Sequence, residues 1–219
     1  MNQKILHTLN HQSYEIYYNY LIQENQKLNL TAITDKEDVY LKHFYDSLMI
    51  TEYVDFKEKK VLDIGAGAGF PSIPILLKYP SMDLTIIDGL KKRIDFLSRL
   101  SERLDINGHF IHGRAESLDH RQTYDIVLAR AVAKLNILLE MALPLLKLDG
   151  LFIAFKSIHY QEELADAKDA ISTLGGQVER VIEYELSDEL KHVYLLIKKV
   201  KPTPKAYPRS YAKIKKSPL

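Results

Sequence analysis

From Lys59 onward, short apolar runs alternate with amphipathic stretches, and this alternation constrains the fold more than any other feature of the 219-residue chain. Val61 to Ile64 reads as a buried strand, residues 72 to 79 as a helix and Leu84 to Ile87 as a second strand. Residues 91 to 104 read as a helix with Ile94, Leu97, Leu100 and Leu104 facing inward. Phe110 and Ile111 give a third strand, Tyr124 to Ala129 a fourth, Leu135 to Leu146 a helix, and Leu151 to Phe155 a fifth strand. Each parallel connection must cross back over the sheet, so this order predicts an α/β fold with a mostly parallel sheet and helices on both faces. A helix from Tyr160 to Leu174, stopped by Gly175 and Gly176, leads into Val178 to Tyr184 and Val193 to Ile197. A short polar loop joins these last two runs, which read as an antiparallel pair closing a sheet edge.

Residues 1 to 28 are expected to be helical, with Tyr14, Tyr17, Tyr18, Leu21 and Leu28 on one face, and a second helix follows Asp35 through Val39, Tyr40, Phe44 and Leu48. The chain thus divides into an N-terminal helical extension (1–58) packed on a main domain (59–200), followed by a tail (201–219). The formal charge is only +1, yet residues 198–219 hold eight Lys or Arg and no acidic residue. Such a segment suits a polyanion. Cysteine is absent, which excludes disulfides, thiolate metal sites and a thiol nucleophile. His7 and His11 are four residues apart but lack a third ligand, so no metal site is expected. The longest apolar runs, Ile73 to Leu77 and Val193 to Ile197, fall far short of the roughly 20 residues that span a bilayer. Residues 1 to 20 are polar and unlike a signal peptide, so the expectation is a soluble, cytoplasmic protein without membrane partners.

The segment Asp63-Ile64-Gly65-Ala66-Gly67-Ala68-Gly69-Phe70-Pro71 falls where the first strand turns into the first helix, the usual cofactor crevice of a doubly wound sheet. Gly65, Gly67 and Gly69 allow a sharp turn and a close ligand approach. A dinucleotide fingerprint needs a further glycine where Phe70 stands, and Pro71 and Pro74 remove two N–H donors that would grip a diphosphate. A cationic ligand without phosphate fits better. S-adenosylmethionine has a sulfonium and an ammonium, and Asp63 is placed to attract the latter, the competing reading being a carboxylate that caps loop amides. Asp88, 23 residues past Gly65, ends the second strand and is a candidate acceptor for ribose hydroxyls, or else a solvated turn residue. Ala115 and Glu116 follow the third strand, where an adenine ring would lie.

At this point the residues resemble a known family. Asn29-Leu30-Thr31, His43 through Leu48, the Asp63 to Pro71 loop, Lys92-Arg93, Arg114-Ala115-Glu116, Tyr124-Asp125 through Arg130-Ala131-Val132-Ala133, Lys156 and Tyr207-Pro208-Arg209 are similar to signature stretches of the bacterial 16S rRNA guanine-N7 methyltransferases. The resemblance covers nearly the whole chain. It implies a Rossmann-like class I methyltransferase with a seven-stranded sheet, S-adenosyl-L-methionine as cofactor, and cofactor contacts at Gly65, Phe70, Ala115, Glu116 and Arg130. Two departures are visible: Gly89 stands where the family often has serine, and Ala212 where glycine is common.

Guanine N7 carries an exposed lone pair, so transfer to it needs positioning and no general base. Arg130 ends the fourth strand, where the amino methyltransferases carry an Asn-Pro-Pro-Tyr or Asp-Pro-Pro-Tyr stretch. It is the candidate catalytic residue, bordering both cofactor and guanine, with a structural ion pair as the alternative. Contacts to 16S rRNA, naked or within a small ribosomal subunit particle, are expected from Lys91, Lys92, Arg93, Lys156, Tyr207, Arg209 and the tail, where Tyr211 also alternates with basic residues. The rival readings are a methyltransferase of a small molecule or protein, and a cofactor-binding module without activity.

Overall fold

A computed structural model describes residues 2–187 and 190–219. Helices α1 (Gln3–Leu9) and α2 (Gln12–Leu28) precede α3 (Lys36–Val39), a π-helical stretch (Tyr40–Tyr45) and α4 (Asp46–Met49). They are followed by β1 (Lys60–Ile64), α5 (Ser72–Lys78), β2 (Asp83–Asp88), α6 (Lys91–Leu104), β3 (His109–His112), β4 (Tyr124–Arg130) and α7 (Leu135–Ala142). The chain ends with β5 (Leu146–Ser157), α8 (Tyr160–Asp166), α9 (Lys168–Thr173), β6 (Gly176–Ser187), β7 (Leu190–Lys199) and α10 (Tyr211–Lys216). Residues 188 and 189, in the loop the sequence predicts between the last two strands, lie outside the described residues.

The strands form one seven-stranded sheet in the order β3-β2-β1-β4-β5-β7-β6. β2 and β3 are parallel, β4 is parallel to both β1 and β5, and β7 is antiparallel to β5 and β6. This is the mostly parallel sheet with an antiparallel edge pair that the sequence pattern predicts. Its order reverses between β1 and β4, the kind of switch point at which doubly wound sheets bind ligands beyond the strand carboxyl ends.

The chain forms two compact units, residues up to Lys59 with Gly65–Gly113, and Lys60–Ile64 with Arg114–Leu219. In the first, the aromatic face of α2 is buried: Tyr14 and Tyr17 are almost wholly inaccessible, and Tyr20 stacks on Phe96 of α6 with ring centroids 5.3 Å apart. Arg99 of α6 fixes the same helix pair, donating to the Tyr20 hydroxyl at 2.8 Å and to Glu24 at 2.9 Å. The single N-terminal helix expected over residues 1–28 is two helices. His11 takes an extended backbone and its Nδ1 accepts from the Ser13 N–H at 3.3 Å, capping α2, because the polar run from Asn10 to Ser13 offers local side-chain acceptors and no apolar face to bury. The helix expected after Asp35 begins there, with Asp35 accepting from the Asp38 N–H at 3.0 Å, and widens into the π-helical stretch that carries His43.

In the second unit α7 is shorter than expected. Pro144 lacks the N–H that would reach the Glu140 carbonyl, so the helix gives way to a 3-10 turn over Leu143–Leu145 and β5 begins at Leu146, before the expected Leu151. The helix expected from Tyr160 to Leu174 is interrupted at Ala167, which no local residue pattern announces. Among the described residues no helix is long and apolar enough to cross a membrane, and no group of His, Asp and Glu is arranged to hold a metal ion.

Candidate functional site

In the first unit the glycine loop leaves β1 with left-handed backbone at Gly65, Gly67 and Gly69 (φ 73°, 61° and 103°). Its path is fixed by bonds that the sequence does not announce. The Gly65 N–H donates to the Ile87 carbonyl at 2.7 Å, and the buried Tyr17 hydroxyl donates to the Ala68 carbonyl at 2.5 Å. Phe70, only 7% exposed, lies stacked on Tyr17 at 5.4 Å and on the His43 ring at 4.5 Å. His43 is in turn tied to Thr31, Nε2 to Oγ1 at 2.8 Å, and the Asn25 side chain accepts from the Leu30 and Thr31 N–H groups at 2.6 and 2.9 Å. The resemblance segments Asn29-Leu30-Thr31 and His43 to Leu48 therefore buttress the phenylalanine of the loop.

Asp88 ends β2, 4% exposed, and does three jobs. Oδ1 accepts from the Leu90 N–H at 2.8 Å, and Oδ2 accepts from the Gly67 N–H and from Arg93, each at 3.3 Å. Asp88 therefore holds the turn but is buried, not solvated as the alternative reading has it; an ionised carboxylate offers about four acceptor positions and leaves room for a further donor. At Gly67 an added Cβ would meet no atom within 4 Å, so the backbone there faces open space.

In the second unit Asp63 is fully buried on β1, in register with Leu128 of β4. Ala115 (3% exposed) and Glu116 form a single 3-10 turn beyond β3. Glu116 Oε2 is buried and has no hydrogen-bond partner among the described residues, which is costly for a carboxylate unless a ligand donor meets it. Arg130 closes β4 in register with Phe155 of β5, and Ala131 follows in left-handed backbone, φ 55°. The loop after Arg130 is held by Lys156, whose ammonium donates to the Ala133 carbonyl at 3.0 Å and to Glu163 at 2.6 Å, while Glu163 also accepts from the Leu135 N–H at 3.0 Å. In the first unit the open approach at Gly67 and the carboxylate of Asp88 offer room and an acceptor, and in the second the orphaned oxygen of Glu116 offers another; each taken by itself fits the chemistry of an adenosyl cation.

Most of the candidate RNA-binding side chains are engaged within the protein. Lys91 is well exposed and pairs with Asp95 at 2.9 Å, and Lys92 donates to the Leu28 carbonyl at the end of α2, 2.8 Å away. Arg93 belongs to the Asp88 cluster, and Lys156 to the loop just described. Arg209 makes a two-pronged ion pair with Glu140, Nε to Oε1 at 2.8 Å and a terminal nitrogen to Oε2 at 2.6 Å, and its backbone N–H also donates to Oε1 at 2.8 Å. Glu140 is wholly buried. The Tyr207 carbonyl accepts from Arg121, and Arg209 sits over the Tyr207 ring at 5.7 Å. Glu140, Glu163, Asn25 and Tyr17 escape the sequence reading. A lone carboxylate among Leu138, Leu139, Met141 and Ala142 is the one signal that points to Glu140 in advance.

Known proteins resemble this chain in sequence and in fold. Residues 10–192 match the family model described as rRNA small subunit methyltransferase G. The chain is 49% identical over 215 residues to the Ribosomal RNA small subunit methyltransferase G of Bacillus licheniformis, covering 95% of this chain and 90% of that protein. It is 48% identical over 215 residues to the Bacillus subtilis protein of the same name, with the same coverage. Among solved structures, M. jannaschii TYW2 in complex with AdoMet superposes with a TM-score of 0.59 at 16% identity, over 72% of this chain and 76% of that one. The YcgJ protein from Bacillus subtilis gives 0.55 at 18% identity, over 72% and 99%. These two likenesses concern the fold alone. The chain belongs to the rRNA small subunit methyltransferase G family, and is an S-adenosylmethionine-dependent methyltransferase of ribosomal RNA.

Proposed function

We propose that the chain methylates N7 of a guanine in 16S rRNA, presented as RNA or within a small ribosomal subunit particle in the cytoplasm. The family match across residues 10–192 carries this reading. In it, Asp63 attracts the ammonium of the cofactor, Asp88 accepts from the ribose hydroxyls, the Gly65, Gly67 and Gly69 backbone gives close passage, and Phe70 bounds the loop. Ala115 flanks the adenine, and Glu116 accepts from its amino group through Oε2, which has no partner among the described residues. Bound S-adenosylmethionine would supply the methyl group on its sulfonium, with a neutral thioether as the leaving group. N7 attacks through its own lone pair, so no residue of this chain has to remove a proton. The task of Arg130 is orientation, with its guanidinium directed to the O6 edge of the guanine.

The lysines of the tail and of α6 approach the phosphates. Lys205, Lys213, Lys215 and Lys216 are exposed, as is Lys91, and they are better placed for this than Lys156 or Arg209, whose charges are already neutralised inside the protein. Transfer of a labelled methyl group to 16S rRNA or the small subunit, followed by mapping of the modified base, tests the proposal. Label at a position other than a guanine N7 overturns it. Arg130→Ala is expected to lower turnover by about 100-fold, the scale of a misplaced reactant, in a protein that still folds. Near-normal turnover of that variant removes Arg130 from the mechanism.

A further inference from the structure

The C-terminal segment of the second unit is tied down at many points, and one of its residues meets Arg114, which immediately precedes the 3-10 turn that carries Glu116. Arg121 donates to the Thr203 carbonyl at 3.0 Å and to the Tyr207 carbonyl, and Arg209 is clamped on buried Glu140 of α7. Ile214 of α10 is fully buried, and Asn136 donates to the Leu219 carbonyl at 3.4 Å. A six-residue helix is too short to be stable alone, so these anchors, and not helix propensity, hold α10 in place. What they position is Tyr211, its first residue. The Arg114 guanidinium lies over the Tyr211 ring, 4.1 Å from its centroid, well within the range of a cation–π contact. Among the described residues no carboxylate pairs with Arg114, and the next residues in the chain are Ala115 and Glu116. α7, which carries the anchor Glu140, also packs against that turn.

We infer that Tyr211, by stacking on Arg114, is a positioning residue that holds the Ala115–Glu116 turn for the adenine end of the cofactor. The tail then serves the methyl-donor site from inside the protein, whatever its outward lysines do with RNA. This rests on the assignment of Glu116 to the adenine made above. Oε2 of Glu116 has no partner among the described residues, so its aim depends on the backbone of the turn, and Arg114 is the residue through which the tail reaches that backbone.

Calorimetry of S-adenosylhomocysteine binding, together with steady-state kinetics on small-subunit RNA, tests the inference. Tyr211→Ala is expected to weaken binding about fivefold, the worth of one partly exposed cation–π contact, and to raise KM for S-adenosylmethionine with kcat and KM for RNA little changed. Tyr211→Phe keeps the ring and is expected to behave as wild type. Arg114→Ala leaves α10 intact and is expected to reproduce the loss, and the double variant to add nothing further. Full additivity of the two losses, or unchanged binding by Tyr211→Ala, overturns the inference. Glu116→Gln separates its failure from that of the site: if Glu116→Gln weakens binding and Tyr211→Ala does not, the site stands and the role of the tail falls. Unchanged binding by both removes the adenine assignment together with the inference.

Discussion

Gly67 and Gly69 are two residues apart and both have positive φ, yet their surroundings make opposite demands on a substitution. A Cβ at Gly69 would lie 2.6 Å from the Tyr17 hydroxyl and 2.7 Å from Ile73, inside a packed region, whereas at Gly67 it would enter open space. Gly69→Ala combines overpacking with an unfavourable backbone and is expected to destabilise the protein by about 2–4 kcal/mol, read as a lower denaturation midpoint. Gly67→Ala bears chiefly the left-handed backbone cost of about 1–2 kcal/mol. In the proposed site its methyl group would enter the open space through which the cofactor nears the loop. S-adenosylhomocysteine affinity is therefore expected to fall at least as much for Gly67→Ala as for Gly69→Ala, although the former protein is the more stable. The reverse order would mean that the ligand does not pass over Gly67. The sequence makes the need for glycine legible at both positions but cannot tell which one faces solvent, because that depends on Tyr17, some 50 residues upstream.

Among elements, α7 shows how far a sequence reading reaches. Its apolar pattern is legible, and so is its place after β4, but its end is set by Pro144 and its purpose by Glu140, which bonds to a residue 69 positions away. The sheet was legible for the same reason that α7 was: buried parallel strands and crossover helices carry strong local patterns. What was not legible is every contact that joins distant segments, such as His43 to Phe70 or Lys156 to Ala133, since no local period encodes them. Glu140→Ala leaves Arg209 without its buried partner, and loss of one member of such a pair costs about 3–5 kcal/mol, so a large fall in melting temperature is expected. β7 adds a pH-dependent element. Lys199 at its end is fully buried and donates to the Leu143 carbonyl, and burial, with help from nearby Arg121, pushes its ammonium down to about 8. Below pH 8 the lysine is protonated in both folded and unfolded chains, and between about 8 and the unfolded value of 10.5 only the unfolded chain holds the proton. The stabilising contribution of this group is therefore present above 10.5 and is lost as pH falls through 8. Melting curves of Lys199→Met and wild type, compared across that window, are expected to show the rise in stability with pH for wild type only. Parallel curves would mean that Lys199 keeps an ordinary proton affinity.

For the molecule as a whole, the uneven charge has two separable roles. A net charge of +1 offers little general attraction for RNA, so binding must come from local concentrations of cations, and the tail is the strongest of these. Part of that charge is spent internally: Arg209 neutralises Glu140, and Lys199 is buried. Removing the tail outright would therefore confuse loss of RNA contacts with loss of the fold, since Ile214 and Arg209 leave with it. Replacing only the exposed Lys205, Lys213, Lys215 and Lys216 by glutamine avoids this, because none of them makes an ion pair with a described residue. Each phosphate neutralised by a cation releases condensed counterions and contributes about 0.7–0.9 to the slope of log affinity against log salt. The four-fold variant is accordingly expected to bind small-subunit RNA more weakly, with a salt slope shallower by about 3, while its melting temperature and its affinity for S-adenosylhomocysteine stay at the wild-type values. An unchanged slope would show that the RNA meets another surface and that the exposed lysines only solvate the tail. A shallower slope accompanied by weaker cofactor binding would show instead that the outer face of α10 and its Tyr211 anchor cannot be changed independently.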